Sequence, residues 1–113
     1  MLQEFIINLF RHRSRVGIII GECSISLMRA YIDGACSVFW LTGDMKACNA
    51  LSSSWQEYIE KYYGFIPGQG VKGWHRLIKE HSLTEKEAIE TFYYLLDAYI
   101  RENYPEIHVN VIQ

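Results

Sequence analysis

A chain of 113 residues and 13.2 kDa has room for one compact domain and none for a large catalytic fold with its own cofactor domain. Half of its residues are hydrophobic and its formal net charge is −2, the composition of a folded globule and not of a disordered tail. With Lys+Arg at 11 against Asp+Glu at 13, it lacks the positive excess that nucleic-acid readers usually carry.

The charges are unevenly spread. From Glu80 onward there are seven acids (Glu80, Glu85, Glu87, Glu90, Asp97, Glu102 and Glu106) against only Lys86 and Arg101. The first fifteen residues carry Arg11, Arg13 and Arg15 against Glu4. An acidic end suits docking onto a basic partner. Cys23, Cys36 and Cys48 include no C-x-x-C pair, so they fit neither a disulfide framework nor a zinc ribbon. Unpaired thiols suit a reducing compartment. No apolar run with a cleavage site opens the chain. No charge-free stretch is longer than that from Gly34 to Gly43, which is about half of the ~20 residues a membrane span needs. These features lead to the expectation of a soluble, cytoplasmic protein with no membrane association.

Leu2, Phe5, Ile6, Leu9 and Phe10 recur at the spacing of an amphipathic helix, which runs into the basic stretch Arg11-His12-Arg13-Ser14-Arg15. Val16 to Gly21 sets β-branched residues between glycines and reads as a short extended piece. Ser24 is a fitting N-cap for a second helix. Ile25, Met28, Ile32, Ala35, Cys36 and Phe39 form one face of it, which Leu27, Tyr31 and Val38 widen, so this helix is expected to be central and buried. Thr42 to Ala50 reads as a loop with helical leanings. Ser52 to Ser54 offer caps for a third helix with Trp55, Tyr58, Ile59 and Tyr62 on one face and Gly64 as its stop. Phe65 to Gly70 is the plainest loop. A short fourth helix turns Val71, Trp74, Leu77 and Ile78 inward.

Thr84-Glu85-Lys86-Glu87 is a capping box opening the last helix, which Ile89, Phe92, Tyr93, Leu96 and Ile100 continue and Tyr104-Pro105 ends. The tail from His108 to Ile112 alternates weakly, as an edge strand or a disordered end would. The expected fold is all-α: one domain over residues 1–113, a compact bundle of about five helices with a possible short extended C-terminal tail.

Chemistry finds little purchase in these patterns. His12, His75, His81 and His108 never fall four residues from another ligand on one helix, and no Cys lies within four residues of a His. The thiols therefore read as small buried hydrophobes, with Cys23 and Cys36 in apolar surroundings. Neither a metal nor a cofactor is expected. A ribonuclease-like pair of histidines beside a cation would have only His12 amid Arg11, Arg13 and Arg15 for support, and cations also favour a helix C-terminus through its dipole alone. The run from Arg15 to Gly21 echoes the R-P-G-M-Y-I-G run of gyrase B-type ATPases. A mostly helical chain cannot supply the mixed sheet that such a site requires, and no phosphate loop is present.

Longer blocks carry a broader likeness. Arg15-x-Gly17-x-x-x-Gly21-x-x-Ser24-Ile25, then Leu27 and Ala30-Tyr31-Ile32-x-Gly34, resembles a family of small bacterial proteins with an R-P-G-M-Y-x-G-x-x-S-I motif and an F-I-x-G-Y continuation. Trp55 to Tyr63 resembles that family's F-x-x-W-V-x-x-K-Y element. Gly73-Trp74-x-x-Leu77-Ile78 and Glu87-Ala88-x-x-x-Phe92-Tyr93-x-Leu95-Leu96 resemble its two later blocks. The likeness spans nearly the whole chain in the right order. It departs at Val16, where Pro is usual, and at Ile18-Ile19, where Met-Tyr is usual. The family is that of immunity proteins of bacterial toxin systems, above all contact-dependent growth inhibition.

What the resemblance implies is a non-enzymatic inhibitor that binds a toxin's C-terminal nuclease domain one-to-one in the cytoplasm and covers its active site. Such toxins include RNases with cationic clefts, which an acidic helix would suit. Glu90 and Asp97 share a face of the last helix with Glu102 a turn below, and Tyr94 lies off the core stripe. These four are the expected toxin contacts: acidic rim and aromatic anchor. The plainer reading of the acids is a solvated helix face. The rival functions are a homo-oligomeric assembly subunit using its many aromatics, and a small RNA-binding protein using Arg11 to Arg15.

Overall fold

A computed structural model describes residues 2–70 and 72–107, and every described regular element is helical. In chain order these are α1 (Leu2–Arg11), a 3-10 turn (Arg13–Arg15), α2 (Gly17–Ile20), α3 (Ile25–Leu41), α4 (Met45–Leu51), α5 (Ser53–Tyr62), α6 (Trp74–Glu80) and α7 (Glu85–Asn103). The all-α expectation holds. Val71 and the tail from His108 to Ile112 lie outside the described residues.

Two of the expected caps form their bonds, whereas Ser52 stands at the N-cap of α5 with its hydroxyl donating back to Cys48 O and no side-chain bond to the helix's amides. Ser24 Oγ accepts from Leu27 N at 3.2 Å and Thr84 Oγ1 accepts from Glu87 N at 3.0 Å, each giving an N-terminal amide of its helix the partner that the helix lacks. Gly64, at φ +85°, ends α5 in the left-handed region that glycine enters without strain.

Three local expectations give way. Val16 to Gly21 is not extended: Ile20 N bonds Val16 O at 3.0 Å and Gly21 N bonds Gly17 O at 2.9 Å, making one helical turn. No strand lies beside it among the described residues, so an extended run there would leave its amides and carbonyls without ladder partners from them. Thr42 to Ala50 is largely helix. Asp44 caps α4 by accepting from Ala47 N at 3.1 Å, and Ala47, Ala50 and Leu51 turn inward. The widened face of α3 is buried on one side only. Ile25, Met28, Ile32, Cys36 and Phe39 are buried, whereas Leu27 and Val38 are exposed.

One core joins the elements, with Trp55 of α5 at its centre. Its ring meets Trp74, Phe92 and Tyr99 edge-on at centroid distances of 5.6, 5.9 and 5.3 Å, and Trp74 stacks on Phe92 at 5.5 Å. Edge-on contacts of this kind add about 0.5–1.5 kcal/mol each beyond the area they bury. Two buried hydroxyls tie α7 to distant parts of the chain. Tyr93 donates to Leu9 O at 2.8 Å and Tyr99 to Ala50 O at 2.6 Å. Among the described residues no helix is long and apolar enough to cross a membrane.

Candidate functional site

The inward stripe of α7 decides what its outer side presents. With Ala88, Ile89, Phe92, Tyr93, Leu95, Leu96, Tyr99 and Ile100 buried, Glu90, Tyr94, Asp97 and Arg101 fall at the i, i+4, i+7, i+11 spacing of the opposite face. Tyr94 is 67% exposed.

Beside this face runs a groove of about 790 Å³ between α7 and the segment from Arg13 to Gly17. Tyr93 forms part of its wall, and its bond to Leu9 O together with its edge-on contact to Phe10 at 5.4 Å draws the C-terminal end of α1 against α7. Val16, only 5% exposed, anchors the connecting segment. Glu90, Tyr94 and Asp97 line one side, Arg13 and Arg15 line the other, and Lys86 lies at one end of the α7 wall. The basic stretch and the acidic helix, far apart in sequence, thus share one groove. No sequence signal pointed to this, because it depends on a contact spanning 84 residues.

The expected contacts are not equivalent. Asp97 is paired with Arg101 at 2.8 Å, so a cation shares the face with it. Glu90 forms no ion pair among the described residues. Glu102 stands on another flank of α7, toward α5. There the Tyr58 hydroxyl is pushed up, by burial first and by the Glu102 carboxylate next, with Tyr94 and Tyr62 acting the same way. Glu102 therefore belongs with Tyr58, a residue that periodicity had assigned to the core and that is half-buried. Tyr62, also expected inward, is exposed. The structure gathers Glu90, Tyr94 and Asp97 and sets Glu102 apart beside a tyrosine cluster.

Other acids of the C-terminal third are committed within the fold. Glu80 pairs with Lys72 at 2.6 Å, and Glu85 pairs with Lys79 at 3.6 Å while its Oε2 accepts from Ile25 N at 3.0 Å. The acidic excess is thinner on the surface than in the sequence.

Cys23 is exposed at the groove's edge, a correction to its apolar placement: the loop after Gly21 carries it outside the core. Partial burial first, then the Glu85 carboxylate, push its thiol up, away from the thiolate that a nucleophile requires. None of the described histidines lines that groove. Cys36 is buried, and burial pushes its thiol up to about 11. The described histidines serve locally. His12 and His81 bond through Nδ1 to Asn8 O at 3.0 Å and Leu77 O at 2.7 Å, and Arg29 donates to His75 Nδ1 at 3.0 Å. No group of three potential metal ligands occurs among the described residues.

No family model matches the chain, and comparison with characterised proteins and with solved structures finds no match either.

Proposed function

We propose that this chain is an immunity protein that binds the C-terminal nuclease domain of a contact-dependent growth inhibition toxin and neutralises it without performing chemistry itself. The observation that carries the reading is Tyr94, two-thirds exposed on a rigid helix between Glu90 and Asp97, beside a groove large enough to receive side chains. An aromatic anchor within a charged rim is the composition from which binding hot spots are built, and acids at such a rim speed encounter with a cationic cleft. The order of the sequence blocks supports the same reading.

The test is co-expression with the C-terminal domain of a large secreted protein encoded beside this chain, recording growth and co-purification. Rescue with a one-to-one complex is the expected outcome. Toxicity without rescue or binding would sink the reading. In a recovered complex, reversing Glu90 and Asp97 to Lys together is expected to lower the association rate about 10-fold or more at low salt and to flatten its salt dependence. A second reading rests on the opposite wall. Arg13 and Arg15 line it and Lys86 faces them from the end of α7, none of them in an ion pair among the described residues, and RNA binding that weakens steeply with salt would favour it.

A further inference from the structure

The spacing of the cysteines pairs none of them, but the fold brings two together. Cys36, on the inward stripe of α3, and Cys48, on α4, lie twelve positions apart across the turn that joins the two helices. The Cys36 thiol donates to Cys48 O at 3.8 Å. That carbonyl already accepts from Ser52 Oγ at 2.6 Å, so turning the thiol toward the Cys48 sulfur leaves no polar group unpaired. α4 turns Ala47 and Ala50 inward, and side chains that small let its backbone lie close to α3. A disulfide needs such closeness, with Cα atoms ~4.4–6.8 Å apart.

Both cysteines line one opening of about 440 Å³, together with Ser37, Trp40 and Leu41. Trp40 and Leu41 are 61% and 75% exposed, so a reagent in solvent can reach it. Cys48 is half-buried and Cys36 buried. Burial first, and the neighbouring Cys48 next, push the Cys36 thiol up to about 11. Cys48 is thus the thiol that meets a reagent first. Cys23 stands apart: it precedes α3, whose axis rises about 16 Å from Ile25 to Cys36.

We propose that Cys36 and Cys48 form an oxidisable dithiol site, which a small disulfide such as glutathione disulfide converts into a cross-link between α3 and α4. The Cys48 thiolate attacks one sulfur of glutathione disulfide, forming a mixed disulfide and releasing one glutathione thiolate. The Cys36 thiolate then attacks Cys48 Sγ and expels the second. Two cysteine thiols are oxidised, one glutathione disulfide is reduced to two thiols, and the two protons end on the glutathiones. The cross-link acts where the fold is thinly held, since α4 buries only two alanines and a leucine. It fixes the helix whose Ala50 O receives the Tyr99 hydroxyl of α7 at 2.6 Å. The opening shares no residue with the α7 groove, and the inference does not rest on the immunity reading.

The test is incubation of the full chain with glutathione disulfide at mildly alkaline pH, followed by thiol counting in denaturant, non-reducing peptide mapping and hydrogen exchange. A Cys23→Ser background is used, because exposed Cys23 takes up glutathione by itself. Both remaining thiols are expected to disappear with no glutathione retained, residue 36 linked to residue 48, and dithiothreitol restoring both. Exchange of the α4 amides is expected to slow about 100-fold, the effect of closing a loop of this length in the open state. Cys36→Ala should halt the reaction at the mixed disulfide on Cys48, and Cys48→Ala should leave Cys36 unreacted. Two thiols surviving in the folded chain would overturn the inference, as would glutathione retained on Cys48 with Cys36 present. A link between two chains, or one within the chain that leaves α4 exchange unchanged, would overturn it equally.

Discussion

Glu60 is 2% exposed, an unusual place for a carboxylate. Both oxygens are engaged: Oε1 accepts from Gly68 N and Oε2 from Gly70 N, each at 3.0 Å. The loop's two amides can reach one carboxylate because Gly68 and Gly70 adopt φ +89° and +61°. Glu60→Gln keeps the volume but turns an NH2 toward one of those amides, so a loss of about 1–3 kcal/mol is expected. Urea unfolding measures the loss and hydrogen exchange at Gly68 and Gly70 locates it; an equally stable variant with both amides still protected would contradict this account. Tyr94 poses the converse case, a large side chain with little to do in the fold. Tyr94→Ala is expected to leave stability within about 0.5 kcal/mol. It is expected to weaken a toxin complex by about 2 kcal/mol, or ~30-fold, in calorimetric titration. Neither the role of Glu60 nor the separation of Glu102 from Glu90 was legible in the sequence. Each depends on which neighbour a loop or second helix brings up.

At the scale of elements, legibility follows the length of the apolar repeat. α1, α3, α5 and α7 each run ten residues or more with a buried stripe, and the short α6 carries large residues at the right spacing. α4 has seven residues and buries two alanines and one leucine, too small a signal to separate helix from loop, although Asp44 was present as its cap. In Val16 to Gly21 intrinsic preference pointed to extension, and with no partner strand among the described residues the helical turn, which bonds its own amides, won. The last helix also helps to start the second long one, since Glu85 at the head of α7 accepts from the first amide of α3 while Ser24 serves the third. Glu85→Ala is therefore expected to cost about 1 kcal/mol, and Glu85→Gln, which keeps an acceptor, clearly less. Paired with Ser24→Ala, the losses are expected to add if the two caps act on separate amides. A double-mutant cycle by urea denaturation reads the difference directly, and equal losses for Ala and Gln would show that the charge near Lys79 matters and not the cap.

Much of the molecule's cohesion comes from aromatic rings and buried hydroxyl and thiol groups, and these shape its response to pH. On the acid side, partial burial first and then the Arg29 guanidinium hold His75 below its ordinary 6.5. A neutral ring can accept from Arg29, whereas a protonated one places two cations in contact. The unfolded chain then binds the proton more readily, so stability should fall as pH drops below 6.5 toward the lower folded value. On the alkaline side the shifts run the other way. Burial raises Cys36 from 9.0 to about 11 and carries Tyr93 and Tyr99 well above their ordinary 10.0. A group with a raised folded pKa lends stability that is complete below its unfolded value and is lost as pH climbs through the interval between the two. The alkaline decline should therefore begin near pH 9 with Cys36 and steepen above pH 10, when the hydroxyls that bond Leu9 O and Ala50 O ionise more readily in the unfolded chain. Urea unfolding from pH 5 to 11 should trace a maximum between about pH 7 and 9. His75→Gln should flatten the acid limb while leaving the alkaline one. Tyr93→Phe should cost about 1 kcal/mol at neutral pH through the lost bond and make the alkaline limb shallower. An acid limb unchanged by His75→Gln would place its origin among the carboxylates instead, and a steep alkaline limb surviving both Tyr93→Phe and Cys36→Ala would leave the other raised groups as its source, Tyr99, the clamp between α7 and α4, with Tyr58, Tyr63 and Cys23.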